Sequence, residues 1–223
     1  MPELSDGYHV TRTRVSELVR SLDDADLARP VPACPDWTVH ELVAHLCGIP
    51  EALASGDYPG SDTQAWLDRL VEERGDVPVG ELLDRWEACA AAASAVVDGG
   101  GGQLFVDVVS HEHDLRGAVD RPGARGTSEV RAVVQLLLDL LAPAIADAGL
   151  GALVIDSGEV RWASQFARPG CTIRVDPWEA IRVLQSRRTA EELRARPVTG
   201  DIEPYLAVLH GHSPLPTASL GES

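Results

Sequence analysis

Histidines and carboxylates occur in two segments of the sequence at a spacing that suits metal binding. Asp107 and His111 are four residues apart in a segment with a helical pattern, so both side chains project from one face. Asp114 follows three residues later and shares that face. His45 lies in an earlier helical segment, on a face whose other residues are apolar. Two imidazoles and a carboxylate from facing helices of a bundle form a donor set for zinc or a similar divalent ion.

The spacing alone leaves a second interpretation open. A single histidine on an apolar helix face is more often a core residue whose hydrogen bonds are satisfied, and an acid four residues before a histidine is common on solvated helices. On this interpretation the run HEHD at residues 111–114 contacts water rather than an ion. His40 and His113 fall on other faces of their helices, and we expect both at the surface.

Other kinds of catalytic site find less support in the sequence. There is no Gly-x-Ser-x-Gly elbow, so a serine hydrolase of the α/β type is unsupported. Cys47 lies two residues from His45, but side chains two apart on a helix point in different directions, which disfavours a cysteine–histidine pair. The chain contains no lysine, which excludes Schiff-base and P-loop lysine chemistry. The four cysteines form no CxxC pair, so we expect free thiols.

Apolar periodicity predicts helices at residues 8–27, 39–55, 64–74, 79–98, 103–119 and 128–148. Thr38 is a good N-cap for the second of these helices, and Glu41 completes a capping box. The proline-rich segment 30–37 is predicted as a loop, and the four glycines at 99–102 as a flexible connector.

After residue 150 the pattern changes to short β-rich runs, with helices beginning after Asp176 and Thr189. The predicted strands are residues 152–156, 160–165 and 172–175, separated by hairpin turns at 157–158 and 168–170. The sequence therefore predicts an α+β fold that is mainly α, with a helical bundle followed by a smaller α+β unit.

Composition restricts the partners of the chain. Its 223 residues carry 19 arginines and 35 acidic residues, a formal charge of −16. That charge argues against nucleic acid and against an anionic membrane, because both require a basic surface. No apolar run has the length of a signal peptide or of the ~20 residues that span a bilayer, so we expect a cytoplasmic protein.

Five motifs resemble the mycothiol-dependent maleylpyruvate isomerase family, the actinobacterial branch of the DinB-like metalloproteins. They are CPDWTVHELVAHL (34–46), DVVSHEHDL (107–115), VDPWEAIR (175–182), SRRTAEEL (186–193) and GDIEPYL (200–206). The resemblance thus covers most of the chain. It implies a DinB-like four-helix bundle over residues 1–122, which binds metal, and a C-terminal α+β domain over 123–223.

Residue by residue, the resemblance implies that His45, Asp107 and His111 hold the metal, usually zinc, although this donor set also suits nickel, iron and manganese. Arg187 is the best match for an arginine that reaches the thiol cofactor or substrate. The chain departs from the family in two places. The isomerase has Glu where this chain has Asp107, and relatives commonly have Gly where this chain has Ser186. Both departures weaken a claim to the isomerase's own substrate.

The resemblance further implies the low-molecular-weight thiol mycothiol as a cosubstrate. Bound zinc favours the thiolate form of a thiol that coordinates it. The thiolate then adds to an electrophilic small molecule, which leads to isomerisation by addition–elimination or to thiol transfer. No general acid or base is identified. Two other functions stay open, a non-catalytic metal-binding or regulatory protein on the same scaffold and a metal-activated hydrolase. The chain is expected to be a monomer or a homodimer.

Overall fold

The computed structural model describes residues 4–222, and it divides after Gly123 into two compact units. In the described part, the first unit is helical apart from a small antiparallel hairpin, whereas the second unit combines four helices with a four-stranded sheet. The predicted class, α+β with a predominance of helix, is confirmed. No helix within residues 4–222 has the length and hydropathy needed to cross a bilayer.

The first unit contains seven helices and two short strands within the described residues. They are α1 (Leu4–Arg20), α2 (Asp24–Leu27), β1 (Pro30–Val31), β2 (Cys34–Thr38), α3 (Val39–Ala54), α4 (Thr63–Glu72), α5 (Val79–Ala88), α6 (Ala90–Asp98) and α7 (Gly102–Ala118). Helices α1 and α3 each pack against both α6 and α7, which is the arrangement of a helical bundle. Apolar side chains from these helices, including Val15, Leu42, Ala93 and Val109, are almost fully buried between them.

Local sequence signals determine several helix ends, while others differ from the predictions. The capping box at Thr38 and Glu41 is present, as predicted. The helix predicted to reach residue 27 ends at Arg20, because Asp23 caps a separate short helix, α2. The helix predicted at 79–98 is divided at Cys89, whose ψ of 6° departs from helical geometry. The predicted loop at 30–37 contains the β1–β2 hairpin.

The second unit contains a mixed sheet and four helices. The elements are α8 (Ser128–Asp147), β3 (Ala152–Asp156), β4 (Arg161–Ala163), β5 (Pro169–Arg174), α9 (Pro177–Leu184), α10 (Ala190–Arg194), β6 (Val198–Gly200) and α11 (Glu203–His212). The strand order is β4-β3-β5-β6, and α8 packs against β3, β4, α9 and α11. Neither β6 nor α11 was among the predicted elements.

The prediction of a hairpin turn at residues 168–170 is wrong. Strands β4 and β5 lie on opposite sides of β3, and β5 runs parallel to β3, so the segment between them crosses the sheet. Glycine is required at position 170 by close packing and not by a turn, because a Cβ there would lie 2.1 Å from the hydroxyl oxygen of Tyr205. That hydroxyl donates to the carbonyl of Gly151 at 2.8 Å, and this bond holds α11 against the sheet.

Candidate metal centre

Helix α3 and the strand before it position His45. The backbone N–H of Thr38 donates to the Glu41 carboxylate at 2.7 Å, and Thr38 Oγ1 accepts from the Glu41 N–H, so the first turn of the helix is fixed. The Trp37 ring lies on the His45 ring with centroids 4.8 Å apart. His45 itself is buried in the middle of α3. The tryptophan therefore restricts the rotamers that the imidazole can adopt.

Helix α7 positions Asp107 and His111, and it is covered on most sides by the bundle. Its consecutive residues from Val108 to Leu115 are all buried. The surface position predicted for His113 is therefore wrong, and Glu112 and Asp114 are also shielded from water. The alternative in which the run HEHD contacts water does not hold. Because α7 lies in the centre of its unit, its polar residues do not form a solvent-exposed face, and a surface position cannot be predicted from them.

The structure brings His45, Asp107 and His111 together. The Nε2 atom of His45 lies 3.3 Å from Oδ2 of Asp107, and Nε2 of His111 lies 3.3 Å from Oδ1 of the same carboxylate. One donor atom from each residue falls within 4.8 Å of the others. Tetrahedral zinc with metal–ligand bonds of about 2.0–2.1 Å places neighbouring donors roughly 3.3 Å apart. Each imidazole nitrogen lies at about this distance from one of the two Asp107 oxygens, which suits a zinc-sized cation.

Unsatisfied hydrogen-bonding groups also fit a cation at this place. Both ring nitrogens of His45 are buried and neither makes a hydrogen bond of good geometry within the described structure, although Nε2 faces the Asp107 carboxylate at 3.3 Å. A buried polar atom without a partner is costly, and coordination to a metal removes that cost for one nitrogen. The rings of His45 and His111 meet edge to face, 5.2 Å apart and at 82°, so their nitrogens converge while the rings do not stack.

Electrostatics at the site couple Asp107 to the two imidazoles. Burial by itself raises the pKa of Asp107, but the His45 and His111 rings outweigh burial and lower that pKa below its usual range. Burial lowers the pKa of His111, whereas Asp107, Asp114 and Cys34 together raise it well above 6.5. The Asp107 carboxylate is thus negatively charged at neutral pH, and a cation must displace a proton from His111 in order to bind.

Two further residues complete the surroundings of His111. Asp114 Oδ2 accepts a hydrogen bond from Nδ1 of His111 at 2.9 Å, which leaves Nε2 facing Asp107. A carboxylate behind a ligating imidazole commonly fixes the tautomer and the ring orientation. Cys34, which the sequence indicated only as a free thiol, lies 3.9 Å from the same Asp114 oxygen. Its position on β2, 80 residues earlier in the chain, carries no local signal of this contact.

Comparison with protein families identifies the first unit. Residues 8–103 match the family described as the mycothiol maleylpyruvate isomerase N-terminal domain. The first unit therefore contains the N-terminal domain of this family. The matched region contains His45 and ends before Asp107 and His111, so the assignment of those two residues depends on geometry.

A curated relative has a different description. The chain is similar to the putative pre-16S rRNA nuclease of Corynebacterium jeikeium (strain K411), with 32% identity over 126 residues, or 52% of this chain and 76% of that protein. Comparison with the solved structures finds no match.

In the second unit, Arg187 follows α9 and is half-buried. Its guanidinium donates to the carbonyl of Gln185 at 2.7 Å. The assignment of Arg187 to a cofactor stays a prediction. Ser186, where the resemblance implied a glycine in relatives, has a φ of 57°. This left-handed conformation favours glycine, and here the buried Ser186 hydroxyl donates to Leu209 O at 3.1 Å, which stabilises the strained backbone.

Proposed function

We propose that this protein is a metal-dependent enzyme that uses mycothiol, either to transfer the thiol to an electrophilic small molecule or to isomerise that molecule by thiol addition and elimination. The mycothiol-related function follows from the family of its first unit. The observation that supports metal dependence is the convergence of His45, Asp107 and His111, with each imidazole Nε2 3.3 Å from an oxygen of Asp107. When bound there, a divalent ion favours the anionic, nucleophilic form of a thiol at neutral pH.

Under this proposal each residue of the site has a defined role. His45, Asp107 and His111 are the ligands, and zinc is the preferred ion for two imidazoles and a carboxylate. Asp114 holds the His111 ring so that Nε2 faces the ion. Trp37, on the strand β2 that precedes α3, packs against the His45 ring. Asp114 acts as an orienting partner rather than as a proton shuttle, because its side chain is fully shielded from solvent.

Metal analysis tests the ligand assignment directly. We expect about one zinc-like ion per chain at this site in the wild-type protein, and its loss from the His45→Ala and His111→Ala variants. His40→Ala is a matched control, since His40 is on the same helix and binds the carbonyl of Val77 instead. Absence of both binding and thermal stabilisation with excess Zn²⁺ or Ni²⁺ would remove the basis of the proposal.

Activity measurements separate the enzyme classes. We expect consumption of an electrophile such as maleylpyruvate only when both the metal and a low-molecular-weight thiol are present. Turnover with metal but without thiol would indicate a metal-activated hydrolase instead. Metal binding without turnover across a panel of electrophiles would favour a non-catalytic regulatory protein on the same scaffold.

The nuclease activity named for the C. jeikeium protein is not the function we propose. A chain with a formal charge of −16 repels a phosphate backbone, and its 19 arginines are outnumbered by 35 acidic residues. The partners we propose are a small thiol and an electrophile, without nucleic acid or membrane, in a cytoplasmic monomer or homodimer.

A further inference from the structure

We propose that the first unit contains a second cation site, formed by Cys34, His111 and Asp114, which takes a thiolate-binding divalent ion such as zinc. One donor atom from each residue lies within 4.8 Å of the other two. Of the three metal ligands of the proposed function, this trio shares only His111, while Asp114, which orients His111 there, is a ligand here. It therefore goes beyond that function, and it can exist or fail independently of it.

Two hydrogen bonds to Asp114 hold the trio together, and their protons lie where a cation would bind. Oδ2 of Asp114 accepts from Nδ1 of His111 at 2.9 Å and from Sγ of Cys34 at 3.9 Å. A metal ion that binds here breaks the S–H bond and the Nδ1–H bond, forms bonds to sulfur and nitrogen, and releases both protons to water. The carboxylate then coordinates the ion where it previously accepted two hydrogen bonds.

The two edges of the His111 ring serve different sites. Nε2 faces Asp107 in the first site, at 3.3 Å, whereas Nδ1 faces Asp114 in the second. The ring can therefore bridge two ions. A bridging imidazolate with Cys34, Asp107 and Asp114 supplies four negative charges against two divalent cations. The four negative and four positive charges cancel, and this favours a buried cluster because an unbalanced charge away from water is strongly unfavourable.

The donor types and their burial suit a zinc-like ion. A thiolate, an imidazole and a carboxylate are all common zinc ligands, and three protein ligands leave one position for water. His111 and Asp114 are buried, while Cys34 is only half-buried, so an ion can approach from the cysteine side. Cys89, also half-buried, donates to the carbonyl of Trp86 instead and is not part of a metal-binding group among the described residues.

Titration with Co²⁺ tests the second site, because thiolate–Co²⁺ bonds give a near-ultraviolet charge-transfer band that imidazole and carboxylate ligands lack. We expect wild-type protein to bind two ions per chain and to show this band. Cys34→Ser should bind one ion and lose the band. His45→Ala, which affects only the first site, should bind one ion and keep the band. Cys89→Ser is the matched control and should behave like the wild type.

Failure of the two sites gives different results. A wild-type protein that binds one ion without the band, with loss of binding in His45→Ala, contradicts the second site and leaves the first intact. A band that survives in Cys34→Ser also contradicts it. In unmodified wild-type protein, Zn²⁺ should slow alkylation of Cys34 by iodoacetamide at least tenfold while leaving Cys89 unaffected. An unchanged Cys34 rate overturns the proposal without the use of any variant.

Discussion

Replacement of Glu112 by Ala should destabilise the first unit strongly without removing its metal site. The Glu112 side chain is fully buried on α7 and binds two guanidinium groups. Arg14 of α1 donates to it from Nη2 at 2.8 Å and from Nε at 3.1 Å. Arg116, one turn later on α7, donates from Nη2 at 3.0 Å and from Nε at 3.1 Å. The carboxylate thereby joins two helices of the bundle.

The expected magnitude follows from the burial of the three groups. Removal of one partner from a buried ion pair costs about 3–5 kcal/mol, because the remaining charge loses its compensation. The side chains of Arg14 and Arg116 are 21% and 17% exposed, so both can recover part of their solvation. We therefore expect the lower end, about 3 kcal/mol, which corresponds to a decrease in Tm of roughly 6–12 °C for a chain of this size.

Urea unfolding followed by circular dichroism measures the change, and metal analysis of the same variant tests the site. Metal content should be unchanged, because Glu112 is adjacent to His111 on the helix and projects about 100° away from it. Glu17→Ala, on an exposed position of α1, is the control and should change stability by less than about 0.5 kcal/mol. A loss below about 1 kcal/mol for Glu112→Ala would refute the argument, as would an equal loss in both variants.

Three other expectations concern stability and thiol reactivity. Thr38→Ala removes the hydroxyl of the capping box and should lower the free energy of unfolding by about 1 kcal/mol in urea titrations, whereas Thr38→Ser should retain most of it. Leu137→Ala empties a fully buried position on α8 and should cost about 2–5 kcal/mol, visible as a lower midpoint for the second unit; a smaller cost would indicate that the site collapses around the change. Burial raises the pKa of the Cys47 thiol well above 9, so at pH 8 it stays protonated in the folded protein. A thiol reagent should label Cys34 first and Cys47 only on unfolding; labelling at equal rates would contradict this account.

The sequence alone was sufficient for features that depend on neighbours a few residues away. The start of α3 depends on Thr38 and Glu41, whose hydrogen bonds close within three residues, and it was predicted correctly. The shared face of Asp107 and His111 follows from helix geometry in the same way. The family match of the first unit was also predictable, because the motif at residues 34–46 is a continuous run of the chain.

Tertiary structure decided everything that depends on distant partners. Burial of His113 and the bonding of Glu112 depend on how the other helices cover α7, which its own periodicity does not encode. The parallel pairing of β3 and β5 depends on a chain crossing, which the local signal at residues 168–170 did not distinguish from a hairpin turn. Cys34 reaches Asp114 across 80 residues for the same reason: contact between distant segments is set by packing of whole elements, and only folding brings those side chains within reach of one another.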